Sequence, residues 1–524
     1  MESSRVAWAL EFQTARSFES PNNKKAHWYS LSAYSIRTNV RAPLYPTRRN
    51  KMTGALQQTQ QRQAHLDEQQ LAGIRAAVRG QICVKGSPGY DEARTIWNAM
   101  IDRYPDVVIR CAETADVIQA VRFANEHDLT IAVRGGGHNI AGNAVGEGGL
   151  LIDLSPMKMV RVDPPTQTAS VGPGATLADV DKETQAFALA LPTGINSTTG
   201  IAGLTLGGGF GWLTRPFGMT IDNLISVDVV TAKGELVRAS GSQNEDLFWA
   251  IRGGGGNFGV VTNFEFKLHP VGPQVVSGLI VHPFENAKEL LKGYREVVSK
   301  APDELTVWTV MRKAPPLPFI PAEWRGREVL IFAACYSGDM PAGDKATAPL
   351  RSLGKPIADV LGPHLFVRWQ AAFDPLLTPG ARNYWKTHDF TELSDATIST
   401  IANAVSRLPG PECEVFIAQV GGAMSRVPTD ATAYPHRGAH FIMNVHTRWR
   451  EPGQDGPCVA WARELFTAAA PFATGSGYVN FMPADEADRI EKVYGANYRR
   501  LTELKRRWDP ENRFRFNQNI RPSH

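Results

Sequence analysis

The sequence predicts an α+β fold, because two parts of the chain show different patterns of helix and strand candidates. From Asp67 to about Gly272, short β-branched segments divided by turn residues stand among amphipathic helices. From Pro273 to Gln454, apolar strand candidates, amphipathic helices and proline-rich loops follow one another. A length of 524 residues is too great for one simple core. The length and the two different patterns together therefore predict at least two domains.

The helix and strand candidates follow from the spacing of apolar residues. In the first part, helical spacing predicts helices over 67–80, 114–128 and 176–190. Strands are predicted over 107–112 and 130–137, and short β-branched segments divided by turn residues lie in 148–157, 159–175 and 224–240. In the second part, "VLIFAACYSG", "EVFIAQVGG" and "HFIMNVHTRW" are strand candidates, and "FENAKELLKGYREVVSKA" is a helix. Strands followed by helices predict a sheet with one face covered by helices. The chain from about Gly456 is mainly helical.

Composition and charge exclude several classes of protein. The formal net charge of +4 is small for this length and gives no reason to expect a nucleic-acid partner. No apolar run approaches the roughly 20 residues that span a bilayer, so no membrane helix is expected. The five cysteines are scattered without a CxxC pair. This pattern argues against a disulfide framework and a zinc site, and favours a cytoplasmic protein with reduced thiols.

Residues 1–51 differ from the rest of the chain. They are rich in Ser, Arg and Asn, poor in acids and without clear periodicity, and they lack the apolar core of a secretory signal. A transit peptide, initiation at Met52 and a disordered tail are the alternatives. We treat residues 1–66 as an N-terminal extension and leave them out of the fold argument.

Three glycine clusters are the most informative motifs: "RGGGHNIAG", "TGIAGLTLGGGFG" and "RGGGGNFG". The last formally satisfies GxGxxG, but a helical segment precedes it and a strand follows it, the reverse of a Rossmann fingerprint. No GK[ST] follows any cluster, so a P-loop is excluded as well. Tight turns would explain one cluster easily and three with difficulty. The clusters favour several loops whose backbone amides surround one extended diphosphate ligand.

These motifs resemble the FAD-linked oxidase family, in its berberine bridge enzyme-like branch. The resemblance is carried by "RGGGHNIAG", "LPTGINSTTGIAGLTLGGGFGWLTRPFGMTIDNL", "EDLFWAIRGGGGNFGVVTNFEFKLHP" and the closing "YGANYRRLTELKRRWDPENRFRFNQNIRP". It implies a two-part FAD-binding domain of the vanillyl-alcohol-oxidase type over 67–272. A substrate domain, an antiparallel sheet covered by helices, is expected over 273–470, and residues 471–524 should return to the FAD-binding domain.

The resemblance also implies how the cofactor is held. His138, after the glycine run, matches the histidine that the family joins to the 8α-methyl carbon of the flavin. Many members add a bond from a cysteine to the ring, but Asn196 occupies that place here and no cysteine lies near it. We therefore expect a single histidyl bond, as in members similar to bacterial 6-hydroxy-D-nicotine oxidase.

Further flavin contacts are carried over from the family motif, residue by residue. They are Arg134, Gly135, Gly136, Gly137, Asn139, Gly142, Gly200, Gly203, Gly207, Gly208, Gly209, Asp222, Asn223, Gly259, Val261, Asn480, Asn517 and Gln518. Thr199 stands at the family's gate for oxygen.

The substrate side of the site is expected in the second domain. Strand alternation in "FIMNVHTRW" puts Asn444, His446 and Arg448 on one face. His446 is the first candidate for a general base, because its unperturbed pKa suits proton transfer near neutrality. A core or edge-strand histidine is an equally good interpretation. Tyr478 is the second candidate base, with Asn444 beside them on the catalytic side, and Tyr384 and Lys386 are candidate substrate contacts.

The resemblance implies two-electron oxidation of a C–H bond next to nitrogen or oxygen. The expected substrate is a small cyclic amine, an alcohol or a natural-product intermediate, with O2 as the electron acceptor and H2O2 as product. A sugar oxidase, a dehydrogenase of the same fold and a flavin-binding sequestering protein without turnover are the alternatives. A monomer or homodimer is expected.

Overall fold

The computed structural model describes residues 66–523, which belong to one compact unit, Gln61–His524. The predicted N-terminal extension over 1–66 lies outside the described residues except for Leu66. Helices and strands both occur throughout, so the predicted α+β class is confirmed. No helix within residues 66–523 is long and apolar enough to cross a membrane.

The first part of the chain contains two main sheets. Its strands are β1 Gln81–Val84, β2 Val107–Arg110, β3 Ile131–Arg134, β4 Leu150–Asp153, β5 Val160–Asp163, β6 Thr168–Val171, β7 Leu189–Ala190, β8 Leu224–Val230, β9 Leu236–Ser240, β10 Val260–Lys267 and β11 His269–Pro270. Its helices are α1 Glu68–Ala77, α2 Tyr90–Arg94, α3 Thr114–Glu126, α4 Leu177–Gln185, α5 Ile201–Leu206, α6 Thr214–Phe217 and α7 Glu245–Ile251.

The first sheet has four strands in the order β1-β2-β4-β3, with β2, β4 and β3 parallel. Strand β4 is buried along its whole length, as expected for a parallel strand covered on both faces. The second sheet is antiparallel, in the order β5-β6-β10-β8-β9. Strand β3 leads directly into the first glycine cluster, so this sheet positions His138 at its end.

The second part forms one large sheet of eight strands, in the order β15-β12-β14-β13-β18-β19-β17 with β16 beside β12. Its strands are β12 Gln274–Pro283, β13 Leu305–Lys313, β14 Glu328–Tyr336, β15 Ala358–Asp359, β16 Gly362–Leu365, β17 Arg382–Phe390, β18 Glu414–Gln419 and β19 Phe441–Trp449. Its helices are α8 Ala287–Val298, α9 Met340–Arg351, α10 Phe366–Gln370, α11 Asp395–Val405, α12 Ala423–Arg426 and α13 Asp455–Ala469.

The two faces of the large sheet pack against different neighbours. Val307 and Val445 belong to a core shared with helices α8, α11 and α13. Trp308 and Phe416 each follow a residue of this core by one position in their strands, and so they lie on the other face. There they pack with aromatic residues of the first part, including Trp212. The period of two along each strand thus separates a helix-covered face from a face that turns toward the glycine clusters.

The C-terminal helices pack on the first part of the chain rather than on the large sheet. Helices α14 (Ile490–Tyr494) and α15 (Tyr498–Trp508) contribute to the core that contains helix α7 and strand β10. The return of the C-terminal segment was expected, while the domain boundaries themselves stay a prediction.

Candidate functional site

One cavity of about 330 Å³ is lined by the glycine clusters, the large sheet and the C-terminal segment together. It contacts both His138 and His446. The structure therefore brings together many residues that are far apart in sequence. The sequence-predicted residues on its wall are Gly135, Gly136, Gly137, His138, Asn139, Gly200, Gly203, Gly259, Val261, His446, Tyr478, Asn480, Asn517 and Gln518, with Asn196 and Thr199 beside them.

The glycine end of the cavity is made of backbone. In the described part of the chain, the five consecutive amides of residues 135–139 donate no hydrogen bond. Two glycine backbones also meet here, because a Cβ on Gly136 would lie 2.4 Å from the amide nitrogen of Gly200. Unpaired amides in a row, three of them from glycines, are the donor set that a diphosphate needs.

Open space lies directly beside two other glycines of this end. A Cβ added to Gly203 or Gly256 would meet no atom within 4 Å, although both residues line the cavity. Oδ1 of Asn517, also on the wall, is buried and has no hydrogen-bond partner among the described residues. Room for an extended group, free donors and an unused acceptor fit a bound FAD.

His138 stands at the border between the glycine end and the sheet end. Its ring stacks on Trp97, with centroids 5.0 Å apart and planes 21° from parallel. Its Nε2 lies 3.1 Å from the Thr198 hydroxyl. Burial lowers the pKa of His138 to about 4, so the imidazole is neutral at physiological pH. A neutral imidazole keeps one nitrogen lone pair free for bonding.

Tyr478 and Asn480 connect the second glycine cluster to the C-terminal segment. The phenol oxygen of Tyr478 accepts hydrogen bonds from the Gly209 amide at 3.0 Å and from Asn480 Nδ2 at 2.9 Å. Burial raises the pKa of Tyr478 to about 12. Tyr478 is therefore a protonated phenol at neutral pH, which makes it a poorer base than His446.

The sheet end carries a row of four cross-strand neighbours that all face the cavity. Arg312 pairs in register with Glu414, Glu414 with His446, and His446 with Trp385. Nη1 of Arg312 lies 2.6 Å from Glu414 Oε2, and Nδ1 of His446 lies 3.2 Å from Glu414 Oε1. The Trp385 ring meets the His446 ring edge-on, with centroids 4.5 Å apart.

The charges in this row fix the protonation of His446. Burial alone would raise the pKa of Glu414, but the positive charge of Arg312 and the hydrogen bond to His446 outweigh it and lower the pKa to about 2. Burial lowers the pKa of His446, and Glu414 only partly opposes this. His446 is thus neutral, and because the carboxylate only accepts, Nδ1 carries the proton. Its Nε2 is buried and unpartnered within residues 66–523.

The rest of the wall at the sheet end is apolar. Besides the Arg312–Glu414–His446 row, large aromatic and aliphatic side chains line the cavity, including Trp212, Trp308, Val310, Ile331, Trp385 and Phe416. An apolar wall with a few convergent polar groups is typical of a small-molecule site. No group of three or more potential metal ligands occurs among the described residues.

Several predicted flavin contacts have other partners and do not line the cavity. Arg134 turns inward, with Nη2 2.6 Å from Asp153. Asp222 forms a bidentate ion pair with Arg437, at 2.7 and 2.8 Å. The side chain of Asn223 bonds to His269 and to two backbone carbonyls. Gly142 and Gly207–Gly209 lie behind the wall, packed against side chains such as Ile101, Asn480 and Met219.

Tyr384 and Lys386, which the sequence predicts to contact the substrate, are likewise absent from the cavity wall. Tyr384 donates to Asp485 at 2.8 Å, and Lys386 pairs with Glu486 at 2.5 Å. Trp385, between them in strand β17, lines the cavity instead, because strand side chains alternate. Asn444 is on the same face as His446, as predicted, yet it lies buried behind the wall with its amide atoms unpartnered in the described chain.

Sequence reasoning missed Arg312, Glu414, Trp385 and Trp97 as parts of the site. Arg312 and Glu414 come from strands β13 and β18, about a hundred residues apart, and only the register of the large sheet joins them. Glu414 is the first residue of the strand candidate "EVFIAQVGG". Strand alternation puts Glu414 on the same face as Phe416, and this pattern could have placed Glu414 in the site. Trp97 lies in a loop without a periodic pattern, and no sequence signal marked it.

Comparisons with known proteins agree with this geometry. A family model described as an FAD binding domain matches residues 105–240, and one described as berberine and berberine like matches residues 477–521. The chain is 33% identical over 453 residues to the FAD-linked oxidoreductase YgaK of Bacillus subtilis, covering 84% of this chain and 97% of the relative. It is 29% identical over 462 residues to (R)-6-hydroxynicotine oxidase of Paenarthrobacter nicotinovorans, covering 85% and 97%.

Solved structures show the same fold. The crystal structure of 6-hydroxy-D-nicotine oxidase from Arthrobacter nicotinovorans superposes with a TM-score of 0.77 at 26% identity, covering 85% of this chain and 98% of that one. Xylooligosaccharide oxidase from Myceliophthora thermophila superposes with a TM-score of 0.75 at 24% identity, covering 87% and 99%.

Proposed function

Because the chain belongs to the berberine bridge enzyme-like FAD-linked oxidoreductases, we propose that it is an oxidase with FAD joined covalently to His138. Its substrate is a small cyclic amine, alcohol or natural-product intermediate, oxidised at a C–H bond next to nitrogen or oxygen. When bound, FAD accepts the two electrons of the substrate as a hydride and passes them to O2, which gives H2O2.

The observation that carries the proposal is that one cavity contacts both His138 and the Arg312–Glu414–His446 row. The unpaired amides of residues 135–139 are suited to hold the diphosphate of FAD, while Gly203 and Gly256 leave room for it. The opposite wall offers a substrate-sized space that ends at a neutral histidine. Cofactor and substrate would therefore share one enclosed space, as direct hydride transfer requires.

His446 is the proposed general base. With Nδ1–H donated to Glu414, Nε2 holds the lone pair that takes the proton from a substrate hydroxyl or amine. Glu414 is a positioning residue, because its carboxylate fixes this tautomer and stabilises the imidazolium that forms. Arg312 keeps Glu414 ionised. The aromatic wall excludes water and orients a flat apolar substrate over the remaining space.

The apolar wall also bears on the alternative of a sugar oxidase. A sugar presents several hydroxyl groups, each of which needs a partner when buried. At the sheet end the polar side chains of Arg312, Glu414 and His446 already bond to one another. The wall therefore supports an aromatic or otherwise apolar substrate over a carbohydrate. A protein that only sequesters flavin would not need the buried Glu414–His446 pair.

A substrate screen tests the proposal. Purified holoprotein is mixed in air with aromatic alcohols, cyclic amines and oligosaccharides, and peroxide release is followed with a coupled peroxidase. We expect turnover with at least one apolar alcohol or amine and none with oligosaccharides. Reduction of the flavin without peroxide release would indicate the dehydrogenase alternative. Turnover confined to oligosaccharides would contradict the proposed substrate class.

A further inference from the structure

A turn formed by residues 196–198 lies against the His138 imidazole. The Thr198 amide donates to Asn196 Oδ1 at 3.1 Å, and the Thr198 hydroxyl lies 2.8 Å from the same oxygen. The Thr198 hydroxyl is also 3.1 Å from His138 Nε2. Asn196 lines the cavity beside His138.

The Thr198 backbone amide determines the direction of the hydrogen bonds that join Asn196, Thr198 and His138. An amide N–H can only donate, so the Asn196 atom that faces it is the carbonyl oxygen. That oxygen can only accept, so the Thr198 hydroxyl donates its one hydrogen to it. The hydroxyl is then left with lone pairs toward His138, and Nε2 must carry the proton. In this tautomer Nδ1 is the nitrogen with the free lone pair.

We infer that Asn196 and Thr198 are positioning residues that hold His138 as the Nε2–H tautomer and so make Nδ1 the atom that bonds to the flavin. The inference rests on the proposed covalent tether.

Trp97 keeps the two ring nitrogens from exchanging places. It stacks on His138, and its own Nε1 donates to the Leu377 carbonyl at 3.0 Å. The guanidinium of Arg448 covers the Trp97 ring at 5.4 Å. A flip of the imidazole would have to break the stacking and the Thr198 contact together. Ring orientation and tautomer are therefore both fixed before the bond forms.

The bond formation balances with dioxygen as the oxidant. A bond forms between Nδ1 and the 8α carbon, and one C–H bond of the 8α-methyl group breaks. The protons leave from that carbon and from Nε2, and the two electrons reduce the ring system until O2 takes them up as H2O2. While Nδ1 bonds, positive charge develops on the imidazole, and the Thr198 oxygen stabilises it by accepting the Nε2 proton in a hydrogen bond.

The test measures covalent attachment rather than turnover. Protein produced under riboflavin limitation is supplied with FAD, samples are denatured in SDS at intervals, and protein-bound flavin is read by fluorescence in the gel and by intact mass. The variants are Thr198→Val, which removes the acceptor, and Asn196→Ala, which frees the hydroxyl to donate to Nε2. Thr198→Ser retains the hydroxyl, and Thr166→Val is a control on an exposed turn.

We expect Thr198→Val to slow attachment about tenfold or more, because it loses the hydrogen bond to the imidazole on which charge develops. Asn196→Ala should slow attachment less, because the hydroxyl remains and only its orientation is no longer fixed. Thr198→Ser and Thr166→Val should attach flavin at nearly the wild-type rate. NMR of the histidylflavin released by proteolysis of the wild type should show the bond on Nδ1, a result that needs no variant to fold. A bond on Nε2, or an unchanged rate in Thr198→Val, would overturn the inference and leave the tether standing. Wild-type protein that binds FAD without covalent attachment would defeat the tether itself.

Discussion

The two ends of the cavity are built in different ways. The glycine end presents backbone amides and bare Cα atoms from three loops, together with a few side chains such as His138 and Asn517. The sheet end presents side chains only, in a cross-strand row and an apolar wall. A backbone-built end can hold a common cofactor with little dependence on side-chain identity. A side-chain-built end can change its substrate by single substitutions.

The largest expected effect is at the sheet end, where one side chain supplies the base. His446→Asn should lower kcat about a hundredfold or more, because proton transfer by a positioned base contributes on that scale. Flavin content and FAD binding should stay at the wild-type level, since the change lies far from the amides. Steady-state kinetics with the best substrate from the screen, alongside the flavin absorbance of the pure protein, provides both readouts. Full activity in His446→Asn would remove this residue from the catalytic role.

Glu414→Gln should have a smaller effect, about tenfold on kcat, together with a shift in the pH profile. The base must be neutral to act, so activity falls as pH drops through the pKa of His446. The Glu414 carboxylate raises that pKa against the effect of burial. Its loss lowers the pKa further, and the acid limb of the kcat profile should move to lower pH. An acid limb that stays in place would show that Glu414 does not act through His446.

At the glycine end the expected effect is on cofactor binding. Gly203→Leu puts a side chain into open cavity space and should weaken FAD binding to apoprotein about tenfold. Gly73→Leu is the matched control, because Gly73 is also a helical glycine with nothing within 4 Å, but it is exposed in helix α1 away from the cavity. Titration with FAD, followed by quenching of flavin fluorescence, measures both. Equal affinities in the two variants would contradict the placement of FAD beside Gly203.

The same contrast explains which parts of the site could be predicted from the sequence. A glycine cluster at the end of a strand is a local pattern, and Gly135, Gly136 and His138 of this cluster all line the cavity. Local periodicity also predicted the helices over 67–80 and 114–128, observed at Glu68–Ala77 and Thr114–Glu126. Where the signal is carried by consecutive residues, the sequence locates the element, although Arg134 and Gly142 of the same motif do not line the cavity.

The side-chain-built end depends on long-range register, which a single sequence does not reveal. Arg312, Glu414 and His446 become neighbours only when three strands align. In strand β17 the polar residues Tyr384 and Lys386 were the natural candidates, but they point to the helix-covered side, where Asp485 and Glu486 pair with them. A shift of one residue along a strand exchanges the two faces, and polarity alone does not decide which face meets the cavity.

Charge pairing explains the remaining differences. Asp222 is a polar residue within a family motif, yet its carboxylate is fully engaged by Arg437 from the region between β18 and β19. The pair joins the first part of the chain to the second beside the cavity rather than on its wall. Motif membership predicted that Asp222 belongs near the site, but its partner could be found only in three dimensions.

The central claim, that His138 tethers the cofactor at the backbone-built end, is tested most directly by denaturation. Wild-type protein and His138→Ala are precipitated with acid, washed, and compared for flavin fluorescence in the dissolved pellet. The account predicts that the wild type keeps its flavin in the pellet, while His138→Ala binds FAD when native and releases all of it on denaturation. Flavin lost from both proteins, or retained in His138→Ala, would contradict the claim.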